Sequence, residues 1–249
     1  MSSKGSVRIY GLIGYPLEHS FSAAWFAEQF TQRNITDAEY HSFPLSDISQ
    51  LSELLTDERL MGFNVTAPYK RAVIRFLSEL DHTAAEIGAV NCVVRCGSGW
   101  KGYNVDWIGF SNSLTEILHE ERPNALILGS GGAAAAAAYG LRQLDIKYVT
   151  VSRAKTEKGF IRYSDLDKTI MDSHPLIVNA TPLGTYPDTQ SCAPIPYALL
   201  TSAHILYDMV YNPPLSEFLR RGQQVGAKIM NGRRMLEIQA QKSWDLFEI

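Results

Sequence analysis

The sequence predicts an α/β protein built from two units, and three observations carry that reading. Short runs rich in branched and aromatic residues alternate with stretches that repeat apolar residues at helical spacing, the pattern of crossover units and a largely parallel sheet. The alternation starts afresh after Pro123, where an apolar run leads straight into Gly129-Ser130-Gly131-Gly132-Ala133-Ala134. The length, 249 residues of which 45% are hydrophobic, supplies the apolar mass for packed cores and fits one or two domains.

In the first half, strands are expected at 7–13, 39–43, 62–65 and 89–94, each rich in residues that suit a pleated surface. Helices are expected at 22–32, with Trp25, Phe26 and Phe30 on one stripe, at 48–55, with Ile48, Leu51, Leu54 and Leu55, and at 69–80, with Val73, Ile74 and Leu77. These stripes read as core faces. The charged, proline-containing stretch 120–124 reads as the end of a linker. Beyond it come a strand at 125–128, a helix from the glycine turn to Leu144, and strands at 148–151, 176–179 and 205–209. A helix at 216–221, a short strand at 227–229 and a helical tail at 233–247 complete the order. The alanine run after Gly132 favours a helix because alanine has the best intrinsic propensity.

Composition excludes several classes. With 23 Lys and Arg against 26 Asp and Glu, a net charge of -3, there is no general basic field to hold nucleic acid. No apolar run is long enough to span a membrane, and the first twenty residues lack the basic start and apolar middle of a secretory signal, so a cytoplasmic protein is expected. Cys92, Cys96 and Cys192 form no CxxC pair, and the six histidines are scattered, so neither a disulfide framework nor a metal site is expected.

The glycine turn fits G-x-G-x-x-A between a strand and a helix. Gly129 permits the tight turn, Gly131 lets backbone approach a pyrophosphate, and Ala134 allows close packing while the helix N-terminus faces the anion. Enzymes that bind S-adenosylmethionine use a similar turn, so a methyltransferase is a rival reading. The end of the next strand bears on the choice. It reads Val151-Ser152-Arg153-Ala154-Lys155, with cations where a ribose-binding carboxylate would sit, which favours the 2'-phosphate of NADP over NAD and disfavours the methyltransferase. Taken alone, Arg153 and Lys155 also suit a solvated loop.

Small polar residues gather at expected strand ends in the first half: Ser20 and Ser22 after the first strand, Asn64, Thr66 and Lys70 around Pro68, then Asn91, Asn104 and Asp106. A serine before a helix is commonly a cap, and a lone lysine and aspartate commonly make a surface ion pair. Together these groups suit a polyol or carboxylate ligand, whose oxygens need fixed donors and acceptors. A protonated lysine oriented by a carboxylate can also donate to a ketone oxygen as hydride arrives.

The ordered set GYPLEHSFS, NVTAPYK, GAVN, GYNVD, GSGGAA, NATPLG, DMVYNPP and NGRRMLEIQ resembles the shikimate dehydrogenases, within the shikimate/quinate dehydrogenase family, from about Arg8 to about Gln241. The resemblance implies a discontinuous substrate domain, residues 1–105 with 233–249, and a Rossmann-like NADP domain, residues 106–232, with an active-site cleft between them. It implies reversible NADPH-dependent reduction of 3-dehydroshikimate to shikimate in chorismate and aromatic amino-acid biosynthesis, by a monomer or homodimer.

By the same resemblance Lys70 is the catalytic lysine and Asp106 its partner. Ser20 and Ser22 hold the substrate carboxylate, with Tyr211 on that side; Thr66, Asn91, Asp106 and Gln239 bind the ring hydroxyls, and Asn64 supports the pocket. Gly129, Ser130, Gly131, Gly132 and Ala133 form the phosphate loop, Ser152 and Arg153 grip the 2'-phosphate, and Thr181, Met209 and Gly232 lie near the nicotinamide. The chain departs from the family pattern at Ala23, Val105 and Ala154, where the family has Pro, Thr and Thr, and at Ser152, where it has Asn. The span from Arg153 to Asn179 is short and is expected to hold one helix, 164–171. Alternative readings are a quinate/shikimate dehydrogenase using NAD and a non-catalytic ligand sensor.

Overall fold

The computed structural model describes residues 7–17, 21–153 and 158–249. The chain divides into two compact units, one of Met1–Val105 with Ala240–Ile249, the other of Asp106–Gln239.

The first unit runs β1 (Arg8–Gly14), α1 (Phe21–Gln32), β2 (Ala38–Pro44), a 3-10 turn at Ile48–Gln50, α2 (Leu51–Leu54), β3 (Leu60–Val65), a 3-10 turn at Ala72–Phe76, β4 (Glu79–Leu80), α3 (His82–Ile87), β5 (Cys92–Cys96) and β6 (Gly99–Tyr103). Its six-stranded sheet has the order β2-β1-β3-β5-β6-β4, with β1 parallel to β2 and β3, and β5 antiparallel to β3 and β6. Alternation along the strands feeds two cores. Ile9, Ile13, Phe63, Val65 and Val93 pack on one face with Leu51, Val73 and Trp100; Tyr10 and Cys92 face the other with Phe26 and Phe30 of α1. Trp244 and Phe247, from the far end of the chain, complete that second core. Gly62 makes the room: a Cβ there would come 2.7 Å from the Phe247 ring.

The second unit runs α4 (Asp106–Leu118), β7 (Ala125–Leu128), α5 (Gly132–Gln143), β8 (Tyr148–Val151), β9 (Phe160–Ile161), a 3-10 turn at Tyr163–Asp165, α6 (Lys168–Ser173), β10 (Leu176–Asn179), β11 (Ile205–Asp208), α7 (Glu217–Gln224), β12 (Lys228–Met230) and the part of α8 (Arg233–Phe247) up to Gln239. Its six strands are all parallel in the order β12-β11-β10-β7-β8-β9, the order of a doubly wound dinucleotide-binding sheet. Successive residues again divide between faces. Ala125, Ile127, Leu176 and Val178 meet α4 and α5, while Leu126, Leu128, Ile177 and Leu206 meet Met171 of α6 and Phe218 and Leu219 of α7. A sheet buried on both sides needs the uninterrupted apolar strands ALIL and LIVN that occur here. Among the described residues no helix is long and apolar enough to cross a membrane.

Several expectations are corrected. The helix expected at 69–80 is a 3-10 turn followed by β4, because residues 78–81 give their backbone to β6: Ser78 N–H donates to the Trp100 carbonyl at 2.9 Å and Asp81 N–H to Gly102 at 2.8 Å. The expected 48–55 helix splits into a 3-10 turn, capped by Asp47, and the single turn of α2. The strand expected from 89 starts at Cys92. The short segment after Arg153 holds β9 as well as a helix, and that helix starts at Lys168 rather than 164 because Asp167 caps it by accepting from Ile170 N–H. The stretch 120–124 lies inside the second unit, between α4 and β7, and the division falls before Asp106. At the C-terminal side the division falls within α8 after Gln239, later than 233, since Met235 packs into the second unit's core.

Candidate active site

In the first unit the expected polar residues lie along the ends of β1, β3 and β5. Ser20 falls outside the described residues. Ser22 is the second residue of α1, and its hydroxyl hydrogen-bonds the Tyr40 phenol. Tyr40 donates to Asn64 Oδ1 at 2.9 Å. Asn64 Nδ2 donates to the Asn91 carbonyl at 3.2 Å and to Ser243 Oγ at 2.7 Å. Because a carbonyl only accepts, Asn91 fixes which way the Asn64 amide faces. Asn91 is itself buried, and its Oδ1 accepts from Val105 N–H at 2.7 Å. Asn104 is buried and donates to the Ala89 carbonyl at 2.9 Å. Burial pushes the Tyr40 phenol well above its ordinary value and the Cys92 thiol, hydrogen-bonded to Ser243, up to about 12, so both stay protonated.

Thr66 follows β3 with its N–H on the Ile13 carbonyl at 2.9 Å, and its Cγ2 occupies the space a Gly14 side chain would need. Lys70 is half-buried, and its carbonyl accepts from Val90 N–H at 2.7 Å, which seats it next to Asn91 in the backbone ladder. Ser22, Asn64, Thr66, Lys70 and Asn91 thus all belong to the first unit, and Asp106, Tyr211 and Gln239 to the second. There Asp106, 1% exposed, opens α4, and Gln239 packs on the same helix: a Cβ at Gly109 would come 3.4 Å from Gln239 Cβ.

The glycine turn lies at the end of β7. Gly129 takes φ +112°, a backbone conformation that side chains disfavour, and a Cβ there would come 3.1 Å from Thr181 Cγ2. Gly131 is the extended N-cap of α5, Gly132 its first residue and Ala133 the next. A Cβ at Gly131 would meet no atom of the described residues within 4 Å and would point into open space. Ser152 is buried after β8 and donates to Ser130 Oγ at 3.5 Å; Arg153 is exposed and acts electrostatically on Tyr163. This is the surface a dinucleotide needs: bare backbone at a helix N-terminus, hydroxyls beside it, and a cation at the end of the neighbouring strand. The lysine expected to join that cation, Lys155, lies outside the described residues.

Thr181, Met209 and Gly232 line up along the ends of β10, β11 and β12. Met209 N–H donates to the Asn179 carbonyl at 3.0 Å, and a Cβ at Gly232 would collide with the Met209 carbonyl. Thr181 donates through its N–H and Oγ1 to Asn179 Oδ1, at 3.1 and 2.6 Å.

A sequence profile described as the shikimate dehydrogenase substrate binding domain matches residues 12–93. A shikimate dehydrogenase (NADP(+)) of Desulforamulus reducens is 33% identical over 98% of this chain and 90% of its own length. The chain belongs to the shikimate dehydrogenase family. Among solved structures, shikimate dehydrogenase 1 of Peptoclostridium difficile superposes with a TM-score of 0.86 at 34% identity, covering 97% of this chain and 91% of that one. The shikimate 5-dehydrogenase of Thermus thermophilus, solved in complex with NADP(H) and shikimate, gives 0.84 at 27%, covering 96% and 93%.

The structure adds residues that sequence reasoning did not single out: Tyr40, Ser243, Asn179, Asp208 and Ser216. Asn179 and Asp208 carried a signal, a polar residue closing an otherwise apolar strand in LIVN and ILYD. Tyr40 and Ser243 carried none, since a tyrosine in a strand and a serine in a helix are ordinary.

Proposed function

We propose that this chain is an NADP-dependent shikimate dehydrogenase, reducing 3-dehydroshikimate to shikimate reversibly in aromatic biosynthesis. The observation that supports it most is the near-full-length identity to a shikimate dehydrogenase (NADP(+)). The substrate carboxylate meets Ser20 and Ser22 with Tyr211 on that side, and the ring hydroxyls meet Thr66, Asn91, Asp106 and Gln239. The second unit binds NADP(H) through the loop Gly129–Ala133, Ser152 and Arg153, with Thr181, Met209 and Gly232 at the nicotinamide end. The enzyme works in the cytoplasm as a monomer or homodimer.

Reduced nicotinamide supplies the hydride. The chain's own task is to hold the ketone and manage one proton. Lys70 donates that proton to the carbonyl oxygen as negative charge develops there, and Asp106 orients the lysine. In the reverse direction Lys70 accepts the hydroxyl proton. Ionic contact between Arg153 and a 2'-phosphate contributes about 1.5 to 3 kcal/mol, which selects NADP.

Steady-state assays at 340 nm with shikimate and quinate against NADP+ and NAD+ test this reading. The highest kcat/KM is expected for shikimate with NADP+. Higher values for quinate with NAD+ would make the chain a quinate dehydrogenase, and no reduction of either cofactor would overturn the enzymatic reading.

A further inference from the structure

Asp208 has no part in the mechanism above, yet it is the most deeply set carboxylate among the described residues of the second unit. It closes β11, has 0% exposure, and accepts from Asn179 Nδ2 at 2.9 Å, from Val210 N–H at 3.0 Å and from the Ser216 hydroxyl. All three partners are neutral. On α7, Glu217 is engaged by Arg220 and Arg221. The phenols of Tyr197 and Tyr207 feel the Asp208 charge, and burial pushes both up, so both are neutral. Burial moves the Asp208 carboxyl up to about 6 against the pull of its three donors.

A carboxylate is an acceptor only, so it sets the direction of every bond it touches. Asn179 must turn Nδ2 toward Asp208, which turns Oδ1 toward Thr181, where it accepts both the N–H and the hydroxyl. The Thr181 hydrogen is thereby committed, and its oxygen also accepts from Leu183 N–H at 3.3 Å. On the other side, Asp208 holds Val210, whose carbonyl accepts from Gly232 N–H at 3.0 Å. Thr181, Met209 and Gly232 therefore hang from one buried carboxylate.

We propose that Asp208 is a positioning residue for the nicotinamide end of the cofactor site, acting through Asn179 on Thr181 and through Val210 on the Met209–Gly232 pair. This rests on the reading that these residues meet the nicotinamide. Protonation at low pH weakens Asp208 as an acceptor and loosens both arms. It also relieves a buried charge, so cofactor affinity falls with pH while the contribution of Asp208 to stability rises. A purely structural role would move the two together.

The test is calorimetric binding of NADP+ and steady-state kinetics from pH 5 to 8 on the full chain and on Asp208→Asn, Thr181→Val and the double variant. At pH 7.5, Asp208→Asn is expected to raise the Kd and KM for NADP+ about tenfold and to leave the KM for shikimate within about twofold; in the Thr181→Val background its effect shrinks to about threefold or less. The extra loss of NADP+ affinity below pH 6 in the wild type, relative to Asp208→Asn, is the second expected result. The cofactor's own phosphate titrates in both proteins alike. Equal effects in both backgrounds, or equal losses for shikimate and NADP+, overturn the proposal. If Asp208→Asn does not fold, Ser216→Ala keeps the carboxylate but removes a donor. The low-pH limb of NADP+ binding is then expected to move to higher pH, and an unmoved limb overturns the proposal. Wild-type protein that binds NADP+ without oxidising shikimate counts against the enzymatic reading and leaves the binding cycle as the test of Asp208.

Discussion

Lys70 is half-buried, and its backbone carbonyl is tied to Val90 beside Asn91. Lys70→Ala is expected to lower kcat by about 100- to 10,000-fold, the range of a lost general acid, with a smaller change in the KM for shikimate. Equal effects on kcat and KM would reduce Lys70 to a binding residue. For Asp208 the expected readout is stability. Its carboxyl is raised to about 6 from 3.8, so between these values the native state holds a proton that the unfolded chain has released. Stability therefore falls as pH rises through that window and stays lower above it. A shift of this size corresponds to about 3 kcal/mol. Denaturant unfolding from pH 4 to 7.5 should show wild type losing stability relative to Asp208→Asn by an amount of that order, and parallel curves would contradict the assignment.

Among the elements, the turn from β7 to α5 separates two glycines that look equivalent in the sequence. Gly129 is constrained from inside, by a positive φ and by Thr181; Gly131 has no neighbour among the described residues where its side chain would point. Gly129→Ala is expected to destabilise by about 1 to 3 kcal/mol, a drop of several degrees in Tm. Gly131→Ala is expected to leave Tm unchanged and to weaken NADP+ binding at least tenfold, measured by calorimetry. The second unit was legible in the sequence because its strands are continuous apolar runs between a glycine turn and amphipathic helices, and β8, β10 and α8 have the expected bounds. Segment 69–80 was not legible. Val73, Ile74 and Leu77 mark a buried side whether the backbone is helical or not, and the β6 partners that decide the matter come from residues 100–102. Helix α4 is not among the elements expected from sequence, although Phe110, Leu114 and Leu118 repeat at helical spacing on its buried side. At the candidate site, residues that sit in compact motifs could be named in advance. The supports behind them, Tyr40 for Ser22 and Ser243 for Asn64, are long-range pairings that local patterning does not encode.

At the scale of the molecule, the first unit depends on both ends of the chain. Trp244, 3% exposed, stacks on Phe26 at 5.9 Å between ring centroids and lies 5.5 Å from Phe30, while Tyr10 meets Phe247 at 5.0 Å. Trp244→Ala is expected to cost the first unit about 3 to 5 kcal/mol in denaturant unfolding. The loss should fall on the transition of that unit, with NADP+ binding to the second unit retained; a uniform loss across both would show that the units do not unfold separately.

That aromatic closure has a consequence for how the protein is made. On a ribosome adding about 5 to 20 amino acids per second, the interval between the appearance of Phe26 and that of Trp244 is roughly 10 to 40 seconds. Throughout it the nascent sheet shows a greasy flank for which no cover has yet been synthesised. The half of the enzyme translated first is thus the half that matures last, its sheet sealed only when the final helix arrives.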